Sequence, residues 1–211
     1  MTQEVSVGRT YAGQPVEDRQ RERRSRFLES GLTVFARDGY ANSSVGAICR
    51  DAGLSSRQFY EEFTGREALL IELYIDIEQT ARNSVAAALV ATSLSADPVA
   101  YVDSATRAYI DSIGGDPRKA RVSLVEVVGA STRVEEKRTQ QRREWSALLD
   151  TIVRRAAKGG GIPAGDLDIR VSALMGAVNY VVYDWSVAEP RRPLDDVVRV
   201  LRRMLLGAIV A

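Results

Sequence analysis

Residues 43–63 read SSVGAICRDAGLSSRQFYEEF, and this stretch decides the fold. Ser43 and Ser44 are N-cap candidates for a short helix running to about Asp51, with Val45, Ile48 and Cys49 on its inner side. Ala52-Gly53-Leu54 then makes a turn, where glycine permits the change of direction that two steeply crossing helices require. Ser55 caps the next helix, in which Phe59 and Phe63 stand four apart and point together into a small core. That spacing leaves Ser55, Ser56, Arg57, Gln58 and Tyr60 for the opposite face. Arginine pairs bidentately with guanine, glutamine with adenine and serine with several base edges, while a tyrosine hydroxyl reaches phosphate. Singly each residue is an ordinary exposed polar group, but together on one face they suit a DNA major groove.

Outward from this pair, Phe27, Leu28, Gly31, Leu32 and Phe35 recur at spacings of three and four, predicting a helix from about Asp18 that ends at Gly39. Arg19, Arg21, Arg23, Arg24 and Arg26 crowd its beginning, either as a solvated helix start or as a phosphate-facing cluster. Residues 1–17 lack periodicity and read as a flexible arm. On the other side, Gly65 and Arg66-Glu67 open a long helix reaching about Ala91, with Leu69, Leu70, Leu73, Ile77 and Thr80 along its buried edge. Arg66 stands at its start as a further phosphate candidate.

Composition narrows the chemistry. With 45% hydrophobic residues in 211, the chain can bury a core as one domain or as a small head plus a larger body. No apolar run approaches a membrane span and residues 1–20 lack an apolar signal core, so the expected location is cytoplasmic. There is no histidine and a single cysteine, which removes the commonest general base and metal ligand and any intramolecular disulfide. No metal, cofactor or catalytic residue is therefore expected. Lys and Arg number 29 against 28 acidic residues, so DNA affinity must come from a local patch.

The segment from Gly31 to Tyr74 resembles the N-terminal head of the TetR family of bacterial transcriptional regulators. Phe35, Gly39, Tyr40, Ser43, Ser44, Val45, Ile48, Ala52, Gly53, Leu54, Ser55, Phe59, Tyr60, Phe63, Arg66, Glu67, Leu69 and Leu70 fall on the family pattern. Cys49 and Ala47 depart from it, at positions where alanine and an acidic residue are frequent. The expected architecture is all-α with about nine helices: an arm over 1–17, a three-helix helix-turn-helix head over 18–70 and a helical-bundle body over 71–211. Ser43, Ser44, Ser55, Ser56, Arg57, Gln58, Tyr60 and Arg66 are the expected DNA contacts.

In the body, Asp97-Pro98 and Asp116-Pro117 each offer an N-cap acid before a proline at the first helical position, and Gly114-Gly115 ends the helix between them. Val122 to Val128 is strand-like in composition, but its place just after a helix start favours helix. Thr132 and Glu135 fit a capping box for a helix whose second half, from Trp145, is the buried one. Gly159 to Gly161 and Pro163 make a break, after which helices start at Asp166 or Asp168 and at Pro193. The final helix carries an apolar band too wide for one-sided packing, so the last two helices are expected to meet their copies in a homodimer. Leu174, Val178, Val181, Val197, Leu201, Met204, Leu205 and Ala208 are the interface candidates.

The resemblance implies a small-molecule effector bound in the body and release from a palindromic double-stranded DNA operator. Polar and aromatic residues within apolar stretches nominate Tyr109, Glu126, Trp145, Asn179 and Tyr183 for that pocket, with Glu126 as the anchor for a cationic or hydroxyl-bearing ligand. The competing expectation is an all-helical small-molecule binding protein whose head no longer regulates DNA.

Overall fold

The computed structural model describes the backbone of residues 10–11, 14–92, 98–156 and 164–210, and the side chains of 17–92, 99–150, 169 and 172–207. The chain divides between Leu70 and Ile71 into two compact units.

The first unit is built on α1 (Val16–Asp38), α2 (Val45–Ala52) and α3 (Ser56–Glu62). A two-residue antiparallel ladder, Thr10–Tyr11 with Gln14–Pro15, precedes α1 inside the stretch expected to be an unstructured arm. Glu17 and Asp18 sit in the first turn of α1, where carboxylates complement the helix dipole. Phe27, Leu32, Val34 and Phe35 bury its inner stripe, and the chain leaves it at Gly39 with φ 80°. Phe27 meets Phe59 edge-on at 5.3 Å and Phe63 at 6.3 Å, so three aromatic rings lock α1 to α3.

α4 (Arg66–Thr92) begins in the first unit and continues into the second. Its buried edge in the body runs through Leu73, Tyr74, Ile77, Glu78, Ala81, Arg82, Val85 and Leu89. Thr80, expected on that edge, is exposed, because the edge continues at intervals of four, from Leu73 through Ile77 to Ala81. Two charged residues, Glu78 and Arg82, take core positions.

The remaining body helices are α5 (Pro98–Gly114), α6 (Pro117–Arg121), α7 (Thr132–Ala156), α8 (Ala164–Val187) and α9 (Leu194–Val210). α5 packs against α6, α7, α8 and α9 and buries Tyr101, Val102, Tyr109, Ile110 and Ile113 among them. Arg107 with Asp195, and Arg202 with Asp103 at 2.9 Å, tie α5 to α9 at their polar borders.

Asp116 caps α6 by accepting from the Arg118 amide, with Pro117 in the first turn. α6 then widens into a π-helical turn, Val122–Glu126, so the strand-like composition is helical after all, with a looser pitch than expected. The cap of α7 is Ser131, whose hydroxyl accepts from the Val134 amide, and Glu135 reaches back to the Gly129 amide; Thr132 is not the cap. Burial on α7 also starts earlier than expected, at Val134 and Gln141, while Leu148 and Leu149 are half-buried. Asp97, residues 159–161 and Pro163 lie outside the described residues, as do the side chains of Asp166, Asp168 and Ala208.

The apolar band of α9 is divided in a way that corrects the interface expectation. Val197 and Leu201 are buried within the chain, Leu201 to 1% exposure, in the helix that packs on α5, and so are not free for a second subunit. Leu174, Val178, Val181, Met204 and Leu205 are half-buried. Outward on α8 stand Ile169, Ala173, Gly176, Tyr180 and Val187, spaced three or four apart save for the exposed Asp184 between the last two, and Val200 stands outward on α9.

Candidate nucleic-acid interface and effector cavity

The α2–α3 pair is fixed at nearly every joint. Ser44 caps α2 by accepting from the Ala47 amide at 3.1 Å. Gly53 closes α2 in the left-handed region (φ 62°), and the Leu54 amide returns to the Cys49 carbonyl at 3.0 Å. At Ser55 a full capping box forms: its hydroxyl accepts from the Gln58 amide, and the Gln58 side-chain oxygen accepts from the Ser55 amide at 2.9 Å. At the other end of α3 the Glu62 carboxylate, 1% exposed, accepts from Arg23 at 2.6 and 2.9 Å and lies 3.5 Å from Arg24. Arg26 donates to the Ala52 carbonyl. The arginines of α1 therefore include three that stitch α1 to α2 and α3, a role outside both sequence readings of that cluster.

This geometry sorts the expected DNA contacts. Ser44, Ser56, Arg57 and Tyr60 are exposed, Arg57 with 88% of its side chain and Tyr60 at 61%. Arg57 lies 3.4 Å from Glu61, an exposed pair one turn apart that constrains it weakly. Ser55 and Gln58 are spent on each other in the capping box, with Gln58 half-buried. Ser43 is corrected: it is buried, and its hydroxyl donates to the Tyr40 carbonyl at 2.7 Å. Arg66 is turned inward as well, donating to the carbonyls of Tyr40 (2.5 Å) and Ser43 (2.6 Å) and lying over the Tyr40 ring. It clasps the α1–α2 loop instead of projecting toward phosphate. Beside Gln58, the residues Arg19, Gln20, Arg23, Arg26 and Leu54 border an open cleft of about 410 Å³.

A second cavity, about 80 Å³, lies within the body. α4 contributes Tyr74 and Glu78, the π-helical turn Ser123 and Leu124, α7 Arg138, Arg142 and Trp145, and α8 Met175 and Asn179. The Trp145 indole N–H donates to Glu78 at 2.6 Å. The Tyr109 hydroxyl donates to Asn179 at 2.5 Å, and its ring meets Trp145 edge-on at 5.1 Å. Arg82, behind this wall, donates to Gln141 at 2.6 Å and pairs with Glu144 at 2.7 Å. Burial raises the Glu78 carboxyl above its ordinary range, against the opposing pull of the Trp145 hydrogen bond and of Arg82 and Arg138. Burial likewise pushes the phenols of Tyr109 and Tyr74 up, so both stay neutral hydrogen-bonding groups.

Of the five expected pocket residues, Trp145 and Asn179 line this cavity and Tyr109 braces both. Glu126 and Tyr183 are elsewhere. Arg121 donates to Glu126 at 2.7 Å and to the Tyr183 hydroxyl at 3.4 Å, so Glu126 is a paired structural carboxylate and not an anchor for a cation. Sequence reasoning missed Tyr74, Glu78 and Arg82. Their signal was present: Tyr74, Glu78 and Arg82 follow at intervals of four along an edge otherwise filled by Leu70, Leu73, Ile77 and Ala81.

Residues 27–73 match the sequence family described as "Bacterial regulatory proteins, tetR family". The "Fatty acid metabolism regulator protein" of Bacillus subtilis (strain 168) is 22% identical over 185 residues, spanning 87% of this chain and 93% of that protein. The "HTH-type transcriptional regulator EthR" of Mycolicibacterium smegmatis is 26% identical over 150 residues, spanning 69% of this chain and 68% of that protein. Among solved structures, the fatty acid degradation regulator FadR from Bacillus halodurans aligns with TM-score 0.73 and 19% identity, over 88% of this chain and 95% of its own. FadR from Bacillus subtilis, solved in complex with stearoyl-CoA, aligns with TM-score 0.72 and 18% identity, over 87% and 98%. Residues 27–73 thus carry the head of the TetR family of bacterial transcriptional regulators, and the all-α fold of the chain as a whole is the one these regulators share.

Proposed function

We propose that the protein is a homodimeric repressor that reads a palindromic operator through the outer face of α2 and α3 and releases it when a small molecule fills the body cavity. The observation that carries this reading is the placement of Ser44, Ser56, Arg57 and Tyr60, exposed on a helix pair whose capping and aromatic contacts leave it little freedom to reorient. Arg57 is the base reader, near the helix N-terminus that enters a major groove first; Tyr60 and Ser44 hold phosphates. A single head covers few base pairs, and a two-fold operator needs two heads about 34 Å apart. The second copy docks on the outward apolar face of α8 and α9, where Tyr180 is 71% and Val200 61% exposed.

The link from ligand to DNA runs along α4. Its first turn carries Arg66, which clasps the loop before α2, and about two and three turns further on the same helix presents Tyr74 and Glu78 to the cavity. A ligand that shifts α4 between two positions changes operator affinity by its differential binding, and about 1 to 3 kcal/mol of coupling gives roughly 5- to 150-fold. The Bacillus subtilis relative was solved with stearoyl-CoA, which supports a ligand-holding body. In this chain the cavity, at about 80 Å³, is well below the roughly 300–1,000 Å³ of drug-sized sites, so a long acyl chain does not enter it as it stands.

The test is operator selection from random duplex, followed by fluorescence anisotropy titrations of the full chain at several salt concentrations. Arg57→Ala is expected to lose about 1–3 kcal/mol of affinity and to relax preference at one base position, whereas Tyr60→Phe weakens binding about evenly across sequences and leaves the salt slope unchanged, because a neutral hydroxyl releases no counterion. Folded variants that both bind the selected duplex as tightly as the wild type would remove the groove assignment.

A further inference from the structure

The body cavity has a one-sided chemistry. Asn179 accepts from the Tyr109 hydroxyl on its oxygen, which leaves its amide N–H groups as what it can offer a ligand. Tyr74 supplies a neutral phenol to the same wall. At the α7 edge stand two guanidinium groups. Arg138 gives Nη1 to Glu135, whereas Arg142, among the described residues, meets the Thr139 hydroxyl at 3.0 Å and no carboxylate. The one carboxyl of the wall, Glu78, is already engaged by the Trp145 N–H. Arg82 stands behind it, neutralised by Glu144. Donors and positive charge thus outnumber free acceptors, and a cationic ligand would face Arg138 and Arg142 without an available counter-charge. A purely aliphatic one would strand the Tyr74 and Asn179 donors without partners. The volume, about 80 Å³, matches roughly three water molecules, which suits a molecule of a few heavy atoms with its charged end at the open rim.

We infer that this cavity binds a compact organic acid, its carboxylate held by Arg142 with Arg138 at the α7 edge and its short carbon chain laid against Trp145, Met175 and Leu124. The inference rests on the ligand-responsive reading proposed above and supplies the class of its effector. Arg142 selects the charge, and Asn179 and Tyr74 satisfy the second carboxylate oxygen.

The chain has two tryptophans, Trp145 in the cavity wall and Trp185, whose indole donates to the Arg192 carbonyl. In a Trp185→Phe background, Trp145 emission reports occupancy directly. Butyrate, butyramide, butylamine, inorganic phosphate and stearoyl-CoA are titrated against the full-length chain. Butyrate is expected to bind at least tenfold more tightly than the amide, the amine or phosphate. Arg142→Gln, an exposed change on α7, is expected to erase that preference, bringing butyrate down to the level of butyramide. Tighter binding of butylamine overturns the charge assignment. Equal binding of phosphate overturns the organic part, and tighter stearoyl-CoA binding overturns the compactness. No butyrate signal in protein that still binds its operator sinks the cavity assignment and leaves the DNA-binding reading standing. Specific butyrate binding that leaves operator affinity unchanged supports the site and counts instead against ligand-driven release.

Discussion

Glu78 illustrates how a single side chain can be held against its own preference. Burial raises its carboxyl above the ordinary carboxylate range, although the Trp145 N–H, Arg82 and Arg138 favour the ionised form. A raised native value means that the folded protein binds this proton more tightly than the unfolded chain. The stability contributed is complete below the unfolded value and is lost as pH rises through the folded one. Glu78→Gln keeps an oxygen to accept from Trp145 and removes the titration. The variant is therefore expected to lose less stability than the wild type as pH rises above the ordinary glutamate value of about 4.3, as read from urea midpoints at a series of pH values. Parallel curves would show that Glu78 ionises in the native state as easily as in the unfolded one. Residue identity in the sequence did not reveal this, because Trp145, 67 positions away, and Arg138 are joined to Glu78 only by the fold, and Arg82 alone is local to it on α4. The same limit explains Ser43 and Arg66. Their types suited a phosphate, and their actual use as a loop clasp depends on where the Tyr40 carbonyl lies.

At the scale of elements, the parts governed by local rules were legible. Ser44, Gly53 and Ser55 act through bonds within a few residues, so the caps and turn of the α2–α3 pair follow from sequence alone. Ser55→Ala removes one half of a capping box, expected to weaken the first turn of α3 by about 1 kcal/mol. Hydrogen exchange at the Gln58 amide should then quicken about fivefold, and an unchanged rate would show that the Gln58 side chain carries the cap by itself. Packing between elements was less legible. Gly114 ends α5 so close to α8 that a Cβ there would lie 3.1 Å from the Trp185 ring and from Val182. Gly114→Ala accordingly sets overpacking, about 1–3 kcal/mol, against a smaller gain in helix preference at a helix end. A net loss of about 1 kcal/mol in chemical denaturation is expected, and a gain would mean that Trp185 yields freely. The π-helical turn at Val122–Glu126 belongs to the same class, since nothing in VSLVE distinguishes a wide turn from an ordinary one.

For the whole molecule, the breadth of the α9 apolar band was visible, but which half faces the chain's own core was not. α5 takes Val197 and Leu201, leaving Tyr180, Val187 and Val200 outward. Tyr180→Arg or Val200→Glu puts a charge on the proposed self-association face without disturbing the interior of the chain. Sedimentation equilibrium is expected to show a monomer with unaltered helicity and an operator affinity reduced at least tenfold. A charged variant that remains dimeric would move the interface to another surface. Among the described residues no helix is long and apolar enough to cross a membrane.

The two-ended fastening of α3, by the Ser55–Gln58 box at one end and Glu62 with Arg23 and Arg24 at the other, has an evolutionary consequence. Fold and specificity are written on largely separate letters: positions 55, 58, 59, 62 and 63 keep the helix in place, while 56, 57 and 60 face outward and carry no cap or buried ion pair, with Tyr60 resting edge-on against Phe59 at 5.5 Å. Those three can be exchanged at little cost to folding, which makes the head a holder for interchangeable reading surfaces. Duplicated copies of such a gene could diverge toward separate operators by a few substitutions each, without first passing through an unstable intermediate.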